Sequence, residues 1–272
     1  MVNNSLKGKG ALITGAASGF GKGVALEYAK RGAQIALIDI NEEALIAIEK
    51  EIKEITQEKV ISVVCDVSKS DEVKAMIKNS FKELDNIYIL FNNAGIGLAY
   101  GRTIVRVKEE HFDKIININL KGQWLVASEI WRKMKSQNFG DTPLSGKIIC
   151  TSSIAGMVPN AKLPAYSISK AGVLALMNLL AKTLAPEITV NSIAPGYHVT
   201  GIYLNSEDDM RLTMGDGNVK TPLNRIGTVE DVVNLMIFLA SNRSNFITGH
   251  NFPIDGGIAE VGVPAHFIDS EV

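Results

Sequence analysis

Apolar residues along the chain fall into two alternating patterns. Short runs with the length of strands are Gly10-Ala-Leu-Ile-Thr14, Gln34-Ile-Ala-Leu-Ile-Asp39, Val60-Ile-Ser-Val-Val64, Ile87-Tyr-Ile-Leu-Phe91, Lys147-Ile-Ile-Cys150 and Ile188-Thr-Val-Asn-Ser-Ile193. Between them lie longer stretches whose apolar residues recur at helical spacing. Gly19 to Arg31 carries the stripe Val24, Ala25, Tyr28 and Ala29, and Glu42 to Ile55 carries Leu45, Ile48, Ile52 and Ile55. Further helices are predicted from about Asp71 to Lys82, Lys108 to Lys135, Pro164 to Leu184 and Val229 to Ala240, with a short terminal strand near Asn251 to Ile254. Strands without a polar face are buried on both sides, which implies a parallel sheet covered by helices on both faces. Right-handed crossovers then give an α/β fold of the doubly wound, Rossmann type. No linker or composition shift divides the chain, so residues 1–272 read as a single domain. Residues 200–224 break the rhythm, and a long stretch of weak periodicity is the pattern of a substrate lid. A short C-terminal tail, 258–272, follows the last strand.

Composition removes several classes of function. The chain has 28 Lys and Arg against 29 Asp and Glu, a formal net charge of −1. That balance does not suit an electrostatically driven nucleic-acid or membrane-surface binder. No apolar run approaches the roughly 18 residues of a membrane span, and the N-terminus lacks the apolar stretch of a signal peptide. The expected location is cytoplasmic. Cys65 and Cys150 are too few for a disulfide framework or zinc site, and His111, His198, His250 and His266 show no ligand spacing, so no metal is expected. Of the four, only His198 is near the predicted site, and substrate contact is not its leading reading. Glycine appears 24 times, and its placement points to chemistry.

Thr14-Gly15-Ala-Ala-Ser18-Gly19-Phe20-Gly21 joins the first strand to the first helix. In a doubly wound sheet a dinucleotide pyrophosphate meets a helix N-terminus at this turn. The spacing is GxxxGxG rather than GxGxxG, and a plain strand-to-helix turn would read similarly. Asp39 ends the second strand, 18 positions after Gly21. A carboxylate there accepts hydrogen bonds from ribose hydroxyls and repels a 2′-phosphate. Asp39, Ile40 and Asn41 include no cation, and Ser18 is uncharged, so NAD(H) is expected over NADP(H). Asp66, followed by Val67, ends the third strand within reach of an adenine amino group, although a capping role fits it too.

Tyr166 and Lys170 stand at i and i+4, one turn apart on a helix face. An ammonium beside a phenol favours the phenolate, and a three-unit shift costs about 4 kcal/mol. Such a pair is usually an ordinary surface contact. Its context here is Thr151-Ser152-Ser153, at the C-terminal end of a buried strand where open α/β sheets bind ligands. A serine hydroxyl there can hold a substrate oxygen against the phenol, or merely cap a turn.

The ordered set of Thr14-Gly15-xxx-Gly19-x-Gly21, Asn92-Asn93-Ala94-Gly95, Asn119, Ser153, Tyr166-xxx-Lys170, Pro195-Gly196 with Thr200, and Asp255-Gly256-Gly257 resembles the classical short-chain dehydrogenase/reductase family over about residues 7 to 257. The resemblance implies Tyr166 as general acid/base, and selects Ser153, 13 residues before it, over Ser152. It implies that Lys170 lowers the tyrosine pKa and bonds the nicotinamide ribose, and that Asn119 holds a water relaying protons toward Lys170. It implies cofactor contacts from Asn93, Ala94 and Gly95 on the adenosine side, and from Pro195, Gly196, Val199 and Thr200 at the nicotinamide end. Arg225-Ile-Gly227 resembles a supporting C-terminal motif. A homotetramer, or a homodimer, is also implied, with the helices near 108–135 and 164–184 in contact.

The expected activity is therefore an NAD-dependent oxidoreductase interconverting a secondary alcohol and a ketone. A 3-oxoacyl-thioester reductase is the alternative, disfavoured by Asp39 because many such enzymes prefer NADPH. A catalytically silent dinucleotide-binding regulator is the rival from another class. The expected pocket is mostly apolar, built from Ile96, Gly97, Leu98, Ile154, Ala155, Pro159, Tyr197, His198 and the lid. The stretch Gln137 to Gly146 and the tail are longer than in the family.

Overall fold

In the computed structural model, residues 5–97, 103–198, 200 and 221–262 are described. Seven strands form one parallel sheet: β1 (Gly10–Thr14), β2 (Gln34–Asp39), β3 (Val60–Val64), β4 (Ile89–Asn92), β5 (Gly146–Thr151), β6 (Ile188–Pro195) and β7 (Asn251–Ile254). Their order is β3-β2-β1-β4-β5-β6-β7. The chain thus reverses its direction of winding between β3 and β4, which opens a crevice at the C-terminal ends of β1 and β4.

Successive residues of each strand feed opposite faces. Ile13 and Leu37 join the layer of α1 (Gly19–Lys30) and α8 (Val229–Ala240), where Val24, Tyr28 and Met236 are buried. Leu12 and Ile38 join the other layer, with Val73 of α3 (Ser70–Glu83), Ile130 of α5 (Gly122–Lys135) and Val173 of α7 (Pro164–Leu184). Helix α2 (Glu42–Lys53) buries its predicted stripe Leu45, Ile48 and Ile52, while Ile55 lies beyond its end.

The helical region predicted from Lys108 to Lys135 is present without a break but is composite. It is α4 (Glu109–Ile116), one π-turn at Asn117–Lys121, and then α5. Asn119 belongs to that π-turn and is fully buried. The fourth strand runs Ile89–Asn92 rather than from Ile87, and β6 extends to Pro195, whose missing N–H falls at the strand end. Two one-turn helices carried no periodicity to predict them, α6 (Ile154–Met157) and α9 (Ile258–Val261), the latter at the start of the tail. Val199, Leu98, residues 201–220 of the predicted lid and residues 263–272 of the tail lie outside the described residues.

Lys147 enters β5 at the opposite edge of the sheet and is 1% exposed. Its Nζ donates to Ser244 Oγ at 2.9 Å. Burial, helped by the charge of Lys9, pushes its ammonium down to about 7. Between that value and the ordinary one of 10.5, the unfolded chain holds a proton that the folded chain lacks, so stability rises with pH across this window. Lys147→Met is expected to stabilise the fold near pH 7 by roughly 1–3 kcal/mol, as apolar replacements of buried charges often do. Urea unfolding at pH 7 and pH 9 checks the sign, since the gain should shrink at the higher pH.

Candidate active site

Thr14 closes β1 with a buried hydroxyl, whose Oγ1 accepts from Asn93 N at 2.8 Å and Ala94 N at 2.9 Å. This ties the ends of β1 and β4 together below the crevice. Gly15 turns the chain at φ +66°. A Cβ on Gly21 would stand 2.0 Å from the Gly15 carbonyl oxygen, so only glycine lets α1 start this close to the turn. Ser18 is the N-cap of α1 but makes no capping bond through its side chain. The first-turn N–H groups are left to meet an anion.

A groove of about 260 Å³ runs from this turn across the sheet edge. Gly15, Ser18, Gly19, Phe20, Asp39 and Ile40 line one part of it, and Asp66, Val67, Asn93, Ala94 and Gly95 the other. Asp39 accepts from Ala17 N through Oδ2 and from Asn41 N through Oδ1, both at 3.1 Å. Each carboxylate oxygen keeps further acceptor capacity. Asp66 Oδ1 accepts from the backbone and hydroxyl of Ser68, closing a turn ahead of α3 rather than capping it, while its other oxygen takes no part in that turn. Among the described lining residues there is no Lys or Arg. Uncapped helix, crowded glycine turn and acceptor at the strand end fit a dinucleotide.

Beside the groove, Phe20, Asn93, Gly95, Ser153, Tyr166, Lys170, Pro195, Gly196, His198 and Thr200 surround one smaller cavity. Lys170 is 3% exposed, and its Nζ donates to Thr151 O at 2.9 Å and stands 5.5 Å from the Tyr166 ring centroid. Burial pushes its ammonium down to about 8, so it still carries charge at pH 7. The two serines separate by role. Ser152 Oγ donates to Lys170 O at 2.8 Å and is consumed by packing. Ser153 Oγ faces the cavity, accepting from Ala155 N at 3.2 Å as N-cap of α6.

Asn119 is tied into the fold through both ends of its amide. Its Oδ1 accepts from Ile96 N at 2.8 Å, and its Nδ2 donates to Ile96 O at 2.9 Å and Ser169 Oγ at 3.2 Å. The amide clamps the segment after Gly95 against α7. It approaches Lys170 only across Gly95, where a Cβ would stand 3.2 Å from Asn119 Oδ1 and 3.5 Å from Lys170 Nζ.

A third cavity, of about 280 Å³, opens from Ser153 and Tyr166. Ile154, Ala155, Pro159 and Tyr197 line it as expected, with Val158, Asn160 and Leu163. Ile258 and Ala259 of α9 line it too, and no pattern in the tail announced them. Ile96 belongs instead to the groove along the sheet edge, and His198 to the cavity around Tyr166 and Lys170. Thr14 and Ile118 also contribute to the site, and for Thr14 the signal in the sequence is a hydroxyl ending an apolar strand.

A doubly wound sheet with a dinucleotide groove and a Ser–Tyr–Lys cavity at its switch point defines a nicotinamide-dinucleotide oxidoreductase. The sequence profile of the family described as Enoyl-(Acyl carrier protein) reductase matches residues 15–259. The chain is 37% identical over 254 residues to the 3-oxoacyl-[acyl-carrier-protein] reductase of Thermotoga maritima, covering 93% of this chain and 98% of that one. It superposes on NAD⁺-bound xylitol dehydrogenase with a TM-score of 0.83 at 32% identity, over 93% of this chain and 99% of the other. It superposes equally, TM-score 0.83 at 29% identity over 94% and 100%, on a 3-ketoacyl-(acyl-carrier-protein) reductase from Brucella melitensis complexed with NADH. The protein belongs to the short-chain dehydrogenase/reductase family.

Proposed function

We propose that this protein is an NAD(H)-dependent reductase that interconverts a ketone and a secondary alcohol, with Tyr166 as general acid/base. The observation that carries the reading is the convergence of Ser153, Tyr166 and Lys170 on one cavity beside a groove whose strand-end acid is Asp39. A bound nicotinamide dinucleotide would supply or accept the hydride. The Tyr166 phenol gives its proton to the substrate oxygen in reduction and takes it back in oxidation. The Lys170 ammonium favours the phenolate, and Thr151 O holds that ammonium in place. Ser153 donates to the substrate oxygen, steadying it as charge develops. Asn119 fixes the Ile96 segment, and a water-borne proton path toward Lys170 belongs to the same reading.

Two substrate classes compete. The relatives favour 3-oxoacyl thioesters, whose reduction is the same ketone-to-alcohol step. The NADH-bound Brucella reductase also removes the argument that Asp39 speaks against such substrates. The uncharged lining of the third cavity and the likeness to xylitol dehydrogenase support a small neutral alcohol or ketone. A coupled spectrophotometric screen of 3-oxoacyl thioesters and neutral ketones, each with NADH and NADPH, separates them. The thioesters are expected to give the higher kcat/KM with NADH. A catalytically silent regulator would turn over none.

The reading includes a cytoplasmic homotetramer. Trp124 of α5 and Ile168 and Leu179 of α7 are 49%, 44% and 63% exposed, an apolar set suited to burial between subunits. Native mass spectrometry is expected to find four copies, and Leu179→Glu to shift the population to smaller species.

A further inference from the structure

His198 follows the Pro195–Gly196 turn and is 2% exposed. Its ring meets Phe20 of the glycine-rich turn edge to face, with centroids 5.3 Å apart. On the other side it fills the space over Gly227, where a Cβ would lie 2.4 Å from Nε2. Backbone ties complete the contact, with Gly227 N donating to Tyr197 O at 2.9 Å. One imidazole therefore wedges together three segments: the start of α1, the turn after β6 and the approach to α8.

We propose that His198 is a positioning residue for the nicotinamide end of the dinucleotide, supporting Phe20 and the Pro195–Gly196 turn only while its ring is neutral. The inference rests on the dinucleotide reading above. Nδ1 lies 3.2 Å from Gly196 O, and a carbonyl oxygen can only accept, so Nδ1 carries the hydrogen. Nε2 is then a bare acceptor, buried and without a hydrogen-bond partner among the described residues. Protonation would place a second N–H there with no acceptor in reach among the described residues.

The charged groups around the ring do not change this. Arg225, before α8, is cationic and opposes protonation. Asp231 of α8 is occupied by both Arg225 nitrogens at 2.7 Å, and Asp255, after β7, by Gly257 N at 2.8 Å and Ala259 N at 2.7 Å. Burial holds the imidazole below its ordinary range, against the smaller pull of the Gly196 carbonyl and the two aspartates. At neutral pH the wedge is in place, and acid removes it.

Calorimetric titration of the full chain with NAD⁺ tests this. The dissociation constant is expected to rise roughly three- to tenfold between pH 7.5 and pH 5, and by reciprocity NAD⁺ should move the His198 titration to lower pH. Proton NMR of the imidazole reads that movement in the unmodified protein, so the test survives even if a variant fails to fold. His198→Asn keeps a donor for Gly196 O but carries no titratable ring, so the acid-side loss should be gone whatever its affinity at pH 7.5. His198→Ala removes the wedge and should bind about tenfold more weakly throughout. The proposal is overturned if His198→Asn retains the parent's acid dependence, or if NAD⁺ leaves the His198 titration where it was. Absence of NAD⁺ binding at every pH by the folded chain overturns the dinucleotide reading, and this inference with it.

Discussion

Tyr166→Phe is expected to lower turnover by roughly 10²–10⁴-fold, the usual worth of a positioned general acid/base. The substitution removes one oxygen and keeps the ring. Tyr166 is only 7% exposed, and its ring lies within 5.5 Å of the Lys170 ammonium, so packing and the cation–ring contact survive. The loss should therefore sit in kcat, with the dissociation constant for NADH little changed. Stopped-flow hydride transfer, monitored at the nicotinamide absorbance, isolates the chemical step. Activity within fivefold of the parent would remove Tyr166 from the mechanism. Ser153→Ala should be milder, because one donor to the substrate oxygen goes while the proton source stays.

The second large effect concerns Asp39. NADPH is expected to be used at least about 100-fold less efficiently than NADH, equivalent to about 2.7 kcal/mol. A 2′-phosphate beside Asp39 sets like charges together, and near a protein surface one such pair at 4 Å costs up to about 4 kcal/mol before solvent screening. The pair Asp39→Ser with Ile40→Arg should narrow the preference at least tenfold. Asp39 also accepts from Ala17 N, so its loss loosens the glycine-rich turn for both cofactors. The ratio of kcat/KM values cancels that shared cost, which is why the ratio and not either value is the readout. A parent enzyme indifferent to the 2′-phosphate would overturn the reading of Asp39.

Much of this architecture is legible in the sequence because its causes are local. The bounds of β1 and β2 follow directly from the apolar runs, since a strand buried on both faces leaves no polar interior position to blur the pattern, and β3 keeps its predicted bounds although it is only partly buried at the sheet edge. The glycine-rich turn, Asp39 and the pairing of Tyr166 with Lys170 are visible for the same reason, each being a short segment with its own spacing. What escaped depends on contacts far apart in the chain. The choice of Ser153 over Ser152 needed the family pattern, and the structure adds a reason: Ser152 spends its hydroxyl on Lys170 O. His198 finds its room at Gly227, 29 positions away, and no periodicity links the two. Asp66 was readable as adenine contact or cap, and only coordinates assign one oxygen to Ser68. The place of Asn119 came only through the family pattern, because its partner is the Ile96 peptide, 23 positions away.

That π-turn also limits which length changes the chain tolerates. A π-turn holds one residue more than an α-turn, so excising one residue between 117 and 121 would restore an unbroken α-helix, keep α5 near its present orientation and take away the bulge that carries Asn119. Asn119 would leave its place, where its Oδ1 accepts from Ile96 N at 2.8 Å and its Nδ2 donates to Ile96 O at 2.9 Å. The Ile96 segment follows β4 and lines the groove. A deletion scan should therefore find residues 117–121 intolerant to loss of a single codon, while the 137–146 connection a few turns further on accepts it.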